Sequence, residues 1–321
     1  MIFVVDRKDS ILRYQSASIR VEIEDKLVQR VPINQLALVV VYGNPLAETS
    51  VWRYLADANV PTIMLNVRGK SQAAMIGSGL ATQLPLRIKQ HQLANDEQSR
   101  LQLAKWFVNK KIDGYCIPLL IVKCHYQIDT KAFIKQTEST INKLQLVDSN
   151  ASLMGVEGQY AHAWFKLLAD CLPAKWTFTG RNRRPPQDPV NALLSLCYTL
   201  LMGEVRQLAI SFGLDPALGF LHQNVPGRDS LVLDVVEIFR AGVDNFVLQC
   251  LVDEVFTPDD FYYREQTGCR LSKQARADFY SAWAIYRHHW PKWSTGDEEE
   301  ILTGSLKEQI TGQLMQLRKQ M

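Results

Sequence analysis

Ile19-Arg20-Val21-Glu22-Ile23 alternates β-branched and charged side chains without a break, the pattern of a strand with one buried and one wetted face. Short runs of the same kind lie on both sides: Ile2 to Val5, Ile11 to Tyr14, Leu27 to Val31 and Leu36 to Tyr42, with turn residues between them. One helix, Thr49 to Ala58, interrupts them and closes before Pro61, and a further strand follows from Thr62 to Val67. Near residue 80 the apolar period changes. From Leu84 onward the pattern is long and helical, through Leu101, Leu103, Ala104, Trp106 and Phe107 and then Ala132 to Leu146. The reading is therefore an α+β chain: a small N-terminal β-sandwich-like domain, residues 1–80, followed by a larger all-α domain, residues 81–321.

Composition agrees with two domains. A chain of 321 residues, 47% hydrophobic and 21% charged, can bury more than one core. Its net charge of +3 is too small for a global field to steer DNA, so any nucleic-acid surface has to concentrate positive charge locally. Cys116, Cys124, Cys171, Cys197, Cys250 and Cys269 show no Cys-x-x-Cys spacing and read as reduced core thiols of a cytoplasmic protein. The apolar start Met1 to Val5 is cut at once by Asp6-Arg7-Lys8-Asp9, which argues against a signal peptide or a membrane span.

Arg68 to Gly79 bears glycine and serine and marks the interdomain linker; its Gly69-Lys70-Ser71 lacks the preceding glycine that a phosphate loop requires. Gly296-Asp297-Glu298-Glu299-Glu300 reads as an acidic loop. Ile301, Leu302, Leu306, Ile310, Leu314 and Leu317 read as a last amphipathic helix, able to dock on its own domain or on a partner.

The residues that carry chemistry lie in three segments. Gly155-Val156-Glu157-Gly158-Gln159-Tyr160-Ala161 runs into the apolar stretch Trp164, Phe165, Leu167, Leu168, which puts Glu157 in a first helical turn, where the helix dipole favours a carboxylate. Gly213, Pro216 and Gly219 break the next helix and leave His222 at the mouth of a loop. Asp229 reads as the N-cap of a third, amphipathic helix on which Asp234 and Glu237, three residues apart, share a face. One imidazole with two or three carboxylates suits Mg²⁺ or Mn²⁺ better than a structural zinc. Taken singly, each residue also has an ordinary structural role: a dipole-compensating Glu, a capping or core His, a surface ladder of Asp234, Glu237 and Arg240. Lys175, Arg181, Arg183 and Arg184 form a basic loop with no intervening acid, and Arg228 lies between His222 and Asp234; both suit phosphate oxygens. Lys105, Lys110 and Lys111 form a second basic stripe, for which a solvated helix face serves equally well. His91, His125, His162, His288 and His289 read as structural.

Gly155 to Ala161, Arg181 to Ser195 and Gly213 to Arg240 together resemble the CRISPR-associated spacer-acquisition integrase/endonuclease family, in order over about 85 residues, and the N-terminal third fits as well. The resemblance implies metal ligands in the Glu of the Gly-x-Glu-Gly segment, the His after Gly-Phe-Leu, and an acid fifteen residues further on. By position these are Glu157, His222 and Glu237, with Asp234 a neighbouring acid of lesser role. It further implies a catalytic helical domain, and a β domain used for dimerisation and partner docking. The implied partners are double-stranded DNA (fragment ends and the CRISPR repeat), a second copy of the chain, and a small CRISPR-associated protein bridging two dimers; no membrane is implied. The implied reaction is attack of a fragment's 3′-hydroxyl on a phosphodiester of the repeat, with a bound Mg²⁺ or Mn²⁺ polarising the phosphate. Two alternatives stay open: a stand-alone metal-dependent nuclease on branched or repair DNA, and a non-catalytic DNA-binding scaffold. The dimer face is expected within Leu36 to Val41 and Val51 to Leu55.

Overall fold

The computed structural model describes residues 1–7, 9–24, 26–58, 60–65, 74–76, 83–182, 185–293 and 301–321. The N-terminal alternation yields β1 (Ile2–Val5), β2 (Ile11–Gln15), β3 (Ser18–Ile23), β4 (Lys26–Pro32), β5 (Leu38–Tyr42) and β6 (Leu46–Ala47), then α1 (Thr49–Asp57), β7 (Thr62–Leu65) and β8 (Ala74–Ile76). These strands make two four-stranded sheets, ordered β1-β5-β7-β8 and β4-β3-β2-β6. In the first, β1, β5 and β7 run parallel. In the second, β2, β3 and β4 form an antiparallel meander that sets Ile19 opposite Tyr14 on one side and Val31 on the other.

The alternation explains what is buried. Ile19 and Val21 of β3 point into one core with Phe3, Val5, Leu12, Val31, Val39 and Val41, and α1 closes it with Val51 and Leu55. Each such side chain contributes about 1.5–3 kcal/mol when fully buried. Leu36, Val39, Val41, Val51 and Leu55, expected on the dimer face, are members of this core, because the apolar face of each element is already satisfied inside its own unit. The exposed apolar residues lie elsewhere. β4 is a sheet edge, and its Leu27 and Val28 are 51% and 56% exposed.

The larger region is helical, as the sequence pattern implies, and matches the mixed architecture expected. Its elements are α2 (Leu84–Asn95), α3 (Glu97–Gly114), α4 (Cys116–Cys124), α5 (Lys131–Leu146), α6 (Asn150–Cys171), α7 (Pro189–Ser211) and α8 (Ser230–Val252). They are followed by a hairpin of β9 (Phe261–Arg264) and β10 (Gly268–Leu271), then α9 (Lys273–His288), a second hairpin of β11 (Trp290–Trp293) and β12 (Ile301–Gly304), and α10 (Leu306–Gln320). Two compact units are present, residues 1–87 with 199–215, and residues 88–198 with 216–321. α7 is long and apolar enough to cross a membrane by composition, and most of it is buried in the protein.

α8 is the axis of the second unit. Its residues are buried on nearly every side, including Asp234, Glu237, Arg240 and Asp244, so it is a core helix and not an amphipathic surface one. α3 and α4 pack along it. A further correction concerns Glu157. The helix that carries it begins at Asn150, where the Ser149 hydroxyl accepts from the Ser152 N–H at 3.3 Å, so Glu157 stands well inside α6 and not in a first turn. Burial of Leu153, Tyr160 and Trp164 offsets the roughly 1 kcal/mol that each helical glycine, Gly155 and Gly158, costs.

At the C-terminus, Ile301 and Leu302 belong to β12, and the helix starts only after Ser305, which forms a capping box with Glu308. Leu306, Ile310, Leu314 and Leu317 of α10 are fully buried. The acidic stretch 296–300 lies outside the described residues, as does the expected linker apart from β8. All six cysteines are free; Cys197, Cys250 and Cys269 are buried, whereas Cys124 is exposed and not a core thiol.

Candidate metal centre

Three helices and one loop build the site. α3 delivers Lys111, α6 delivers Glu157, and α8 delivers Asp234, Glu237 and Arg240, while the loop between α7 and α8 carries His222. Lys111 lies four and eight residues beyond Phe107 and Leu103, on the buried stripe of α3, and its ammonium is almost completely enclosed. It pairs with Glu157 Oε1 on one side and with Glu237 Oε2 on the other, the latter at 2.6 Å. Arg240, one turn along α8, forms an ion pair with the same Glu237 oxygen, its Nε 2.7 Å away. Burial would raise the Glu237 carboxyl, but Arg240 and then Lys111 more than reverse that and hold it at about 2.

Behind Glu237 lies a second buried carboxylate. Asp244 accepts from Trp164 Nε1 at 2.8 Å, from Tyr115 Oη at 3.3 Å and from the Tyr198 hydroxyl. Burial raises its carboxyl above the ordinary range, against the lowering effect of the Tyr198 bond and of Arg240. The Arg240 guanidinium lies 4.8 Å from the Tyr198 ring centroid, so the side chain that braces Glu237 is itself stacked in place.

Asp234 organises the histidine loop. Its carboxylate accepts the backbone N–H groups of Phe220 at 2.6 Å, Leu221 at 3.0 Å and His222 at 2.9 Å, and contacts His222 Nδ1 at 2.7 Å. A carboxylate only accepts, so Nδ1 carries the proton and Nε2 keeps the free lone pair that a metal needs. Carbonyls of the loop are held from outside: Arg100 donates to Phe220 O at 2.9 Å and His222 O at 3.3 Å, and Asn150 donates to Phe220 O at 2.7 Å. Gly219 permits this arrangement, because a Cβ there would stand 2.6 Å from Asp234 Oδ2 and 2.7 Å from the Ser230 carbonyl carbon.

The expected ligands therefore fall into two linked groups. Glu157 and Glu237 converge on one cation, Lys111, and His222 is fixed by Asp234, which stands three residues before Glu237 on α8. Among the described residues, no three His, Cys, Asp or Glu side chains stand together in coordinating geometry. The donor set nonetheless fits a divalent ion. Two carboxylates already share one positive charge, and the imidazole presents a free Nε2, a combination suited to Mg²⁺ or Mn²⁺. Lys111 and Arg240 are the site residues that sequence reasoning missed. The signal for Lys111 was its place on the Leu103–Phe107 stripe of α3, where a solvated lysine does not belong.

Of the basic loop, Arg183 and Arg184 lie outside the described residues. Arg181 anchors it by donating to Asn191 Oδ1 at 2.7 Å and Ser195 Oγ at 3.1 Å. Asn191 in turn accepts from Asn182 N and donates to Gly180 O. The far side is pinned by the hairpin, with Cys269 N donating to Pro186 O at 2.7 Å and Tyr263 Oη donating to Gln187 Oε1 at 3.1 Å. Arg228 donates to Gln223 O, and Lys175 pairs with exposed Glu254 at 3.7 Å.

A family model described as CRISPR associated protein Cas1 matches residues 3–284. The chain is 34% identical to a CRISPR-associated endonuclease Cas1 of Thermodesulfovibrio yellowstonii over 86% of its own length and 88% of that protein's, and 30% identical to one of Chlorobaculum tepidum over 87% and 84%. Among solved structures it resembles a casposase bound to integration product, with a TM-score of 0.84 at 21% identity over 99% of this chain and 89% of that one. It also resembles a chain of a Cas6-RT-Cas1–Cas2 complex, with a TM-score of 0.79 at 21% identity over 99% of this chain and 34% of that one.

Proposed function

The chain belongs to the Cas1 family, and on that premise we propose that it is a metal-dependent DNA endonuclease and integrase of CRISPR adaptation. It would insert short DNA fragments into a repeat array by transesterification. The observation that carries the reading is the convergence of Glu157 and Glu237 on a single positive charge beside an imidazole whose tautomer Asp234 sets. Glu157, Glu237 and His222 Nε2 would hold the ion. A Mg²⁺ or Mn²⁺ bound there supplies Lewis acidity toward the scissile phosphate.

The chain's own residues do the rest. Asp234 and the donors around Phe220 fix the imidazole, so the orientation of this one ligand is set before the site loads. Arg240, stacked on Tyr198, keeps Glu237 ionised and oriented. The loop from Arg181 to Arg184, with Arg228, supplies guanidinium forks for phosphate oxygens, which position a backbone without reading its sequence.

Two proteins of similar fold support the assembly part of the reading, the casposase bound to integration product and the complex that contains Cas2. We place double-stranded DNA, a homodimer formed through the β domain of residues 1–80, and a small bridging protein of the Cas2 kind as partners, with residues 81–321 as the catalytic domain, in a cytoplasmic setting without a membrane. The test is an integration assay with a supercoiled repeat-bearing plasmid, a short duplex with free 3′ ends and Mn²⁺, with and without that protein. Glu157→Gln, His222→Ala and Glu237→Gln should each reduce strand transfer by about a hundredfold or more. Near-normal turnover in any of the three removes that residue from the site.

A further inference from the structure

Lys111 is a buried ammonium whose only described side-chain partners are the two carboxylates that the proposed function gives to the metal, Glu157 and Glu237. With Arg240 on the second carboxylate, the cluster holds two negative and two positive charges. A divalent ion on the same oxygens would stand within about 4 Å of the ammonium, and like charges at that distance repel strongly where water is largely excluded. The ammonium and the ion cannot both keep these oxygens. Lysine, unlike arginine, is a compact charge on a flexible four-carbon stem, so it can withdraw from one carboxylate without moving the helix that carries it.

We propose that Lys111 is a built-in cation that competes with the divalent metal for Glu157 and Glu237. It keeps the two carboxylates paired and the site folded before loading, and it sets the metal concentration at which loading occurs. The inference rests on the metal-centre reading of these two residues. It assigns Lys111 a positioning role, acting through the carboxylates and not on the substrate. Arg240 is not the competitor, because its guanidinium is fixed against Tyr198 and, of the two carboxylates, pairs with Glu237.

The experiment is titration of the full chain with Mn²⁺ alone, followed by calorimetry, with thermal unfolding measured in parallel. Lys111→Met keeps the stem and removes the charge; it should bind Mn²⁺ about tenfold more tightly than the wild type, melt lower without metal, and gain more in melting temperature when metal is added. Lys111→Arg keeps the charge and adds a second prong, so it should bind Mn²⁺ about tenfold more weakly, and it serves if Lys111→Met does not fold. Unchanged Mn²⁺ affinity in either variant, or weaker binding by Lys111→Met, overturns the competition. Glu157→Gln separates the two readings. If the wild type binds Mn²⁺ and Glu157→Gln does not, the metal centre stands whatever Lys111 does; if the wild type takes up no Mn²⁺, both readings fall.

Discussion

Asp234 accepts from both the backbone N–H and the ring Nδ1 of His222, at 2.9 Å and 2.7 Å, so one carboxylate oxygen fixes both the position and the tautomer of the imidazole. The other oxygen accepts from Phe220 N and Leu221 N. A residue that ranks as a neighbouring acid on sequence grounds is thus the organiser of the loop, and three of the five predictions below follow from the chemistry around it and its neighbour Glu237.

Asp234→Asn keeps the size of the side chain but turns one acceptor into a donor facing N–H groups. It should lower stability by about 3 kcal/mol and weaken Mn²⁺ binding by roughly ten- to a hundredfold, since the imidazole loses its orienting partner. Melting temperature and calorimetry check this. Wild-type values in both would leave Asp234 without the role described.

Gly219→Ala introduces a Cβ 2.6 Å from Asp234 Oδ2 and 2.8 Å from Ser230 O, neither of which is the far end of a flexible chain. The loop must shift, at a cost of about 1–3 kcal/mol, and His222 shifts with it. Strand transfer should fall by more than stability alone explains at a temperature where the variant remains folded. Equal activity per folded molecule would show that the loop adapts.

The acid limb of the stability curve should report Glu237. Its folded carboxyl sits at about 2 against an ordinary 4.5, so its contribution is full above 4.5 and is lost as pH falls from there toward 2. That contribution is on the order of 3 kcal/mol. Glu237→Gln should therefore be less stable than the wild type near neutrality and show a flatter decline in this window, followed by chemical denaturation at several pH values. Parallel curves would remove Glu237 as the group responsible. The burial of Glu237 also means that Glu237→Ala tests folding as much as catalysis, since it strands Lys111 and Arg240.

Charge reversal at Arg183 and Arg184 should weaken DNA binding about equally for unrelated sequences and flatten its dependence on salt, because phosphate contacts act through counterion release. Site preference should persist. A change in which site is chosen, with overall affinity held, would make the loop a reader of bases. Arg181 is a poor choice for this test, because it also holds Asn191 and Ser195.

Dimerisation through the β domain should depend on the exposed edge strand β4. Leu27→Lys with Val28→Lys should give a monomer by sedimentation and leave the melting transition nearly unchanged, since both side chains are more than half exposed. A persistent dimer would place the interface elsewhere. Charges in Leu36 to Val41 or Val51 to Leu55 would not answer the question, because they would disrupt the unit's own core.

Local pattern in the chain was enough to read most of the N-terminal strands with α1 among them, the change of period near residue 80, and the identity of Glu157, His222, Asp234 and Glu237 as chemically notable groups. These are properties of local periodicity and residue type, which neighbours in the chain set directly. It took the folded chain to show the hairpins β9–β10 and β11–β12 inside the region expected to be all-α, that α8 is a core helix, that Glu157 stands inside α6, that Asp234 serves the His222 loop, and that Lys111 joins Glu157 to Glu237. The Lys111 pairs span 46 and 126 residues of chain. Local propensity carries no information about which distant helix will lie against α3, whereas burial of a charge is settled by whether such a neighbour brings the opposite charge with it.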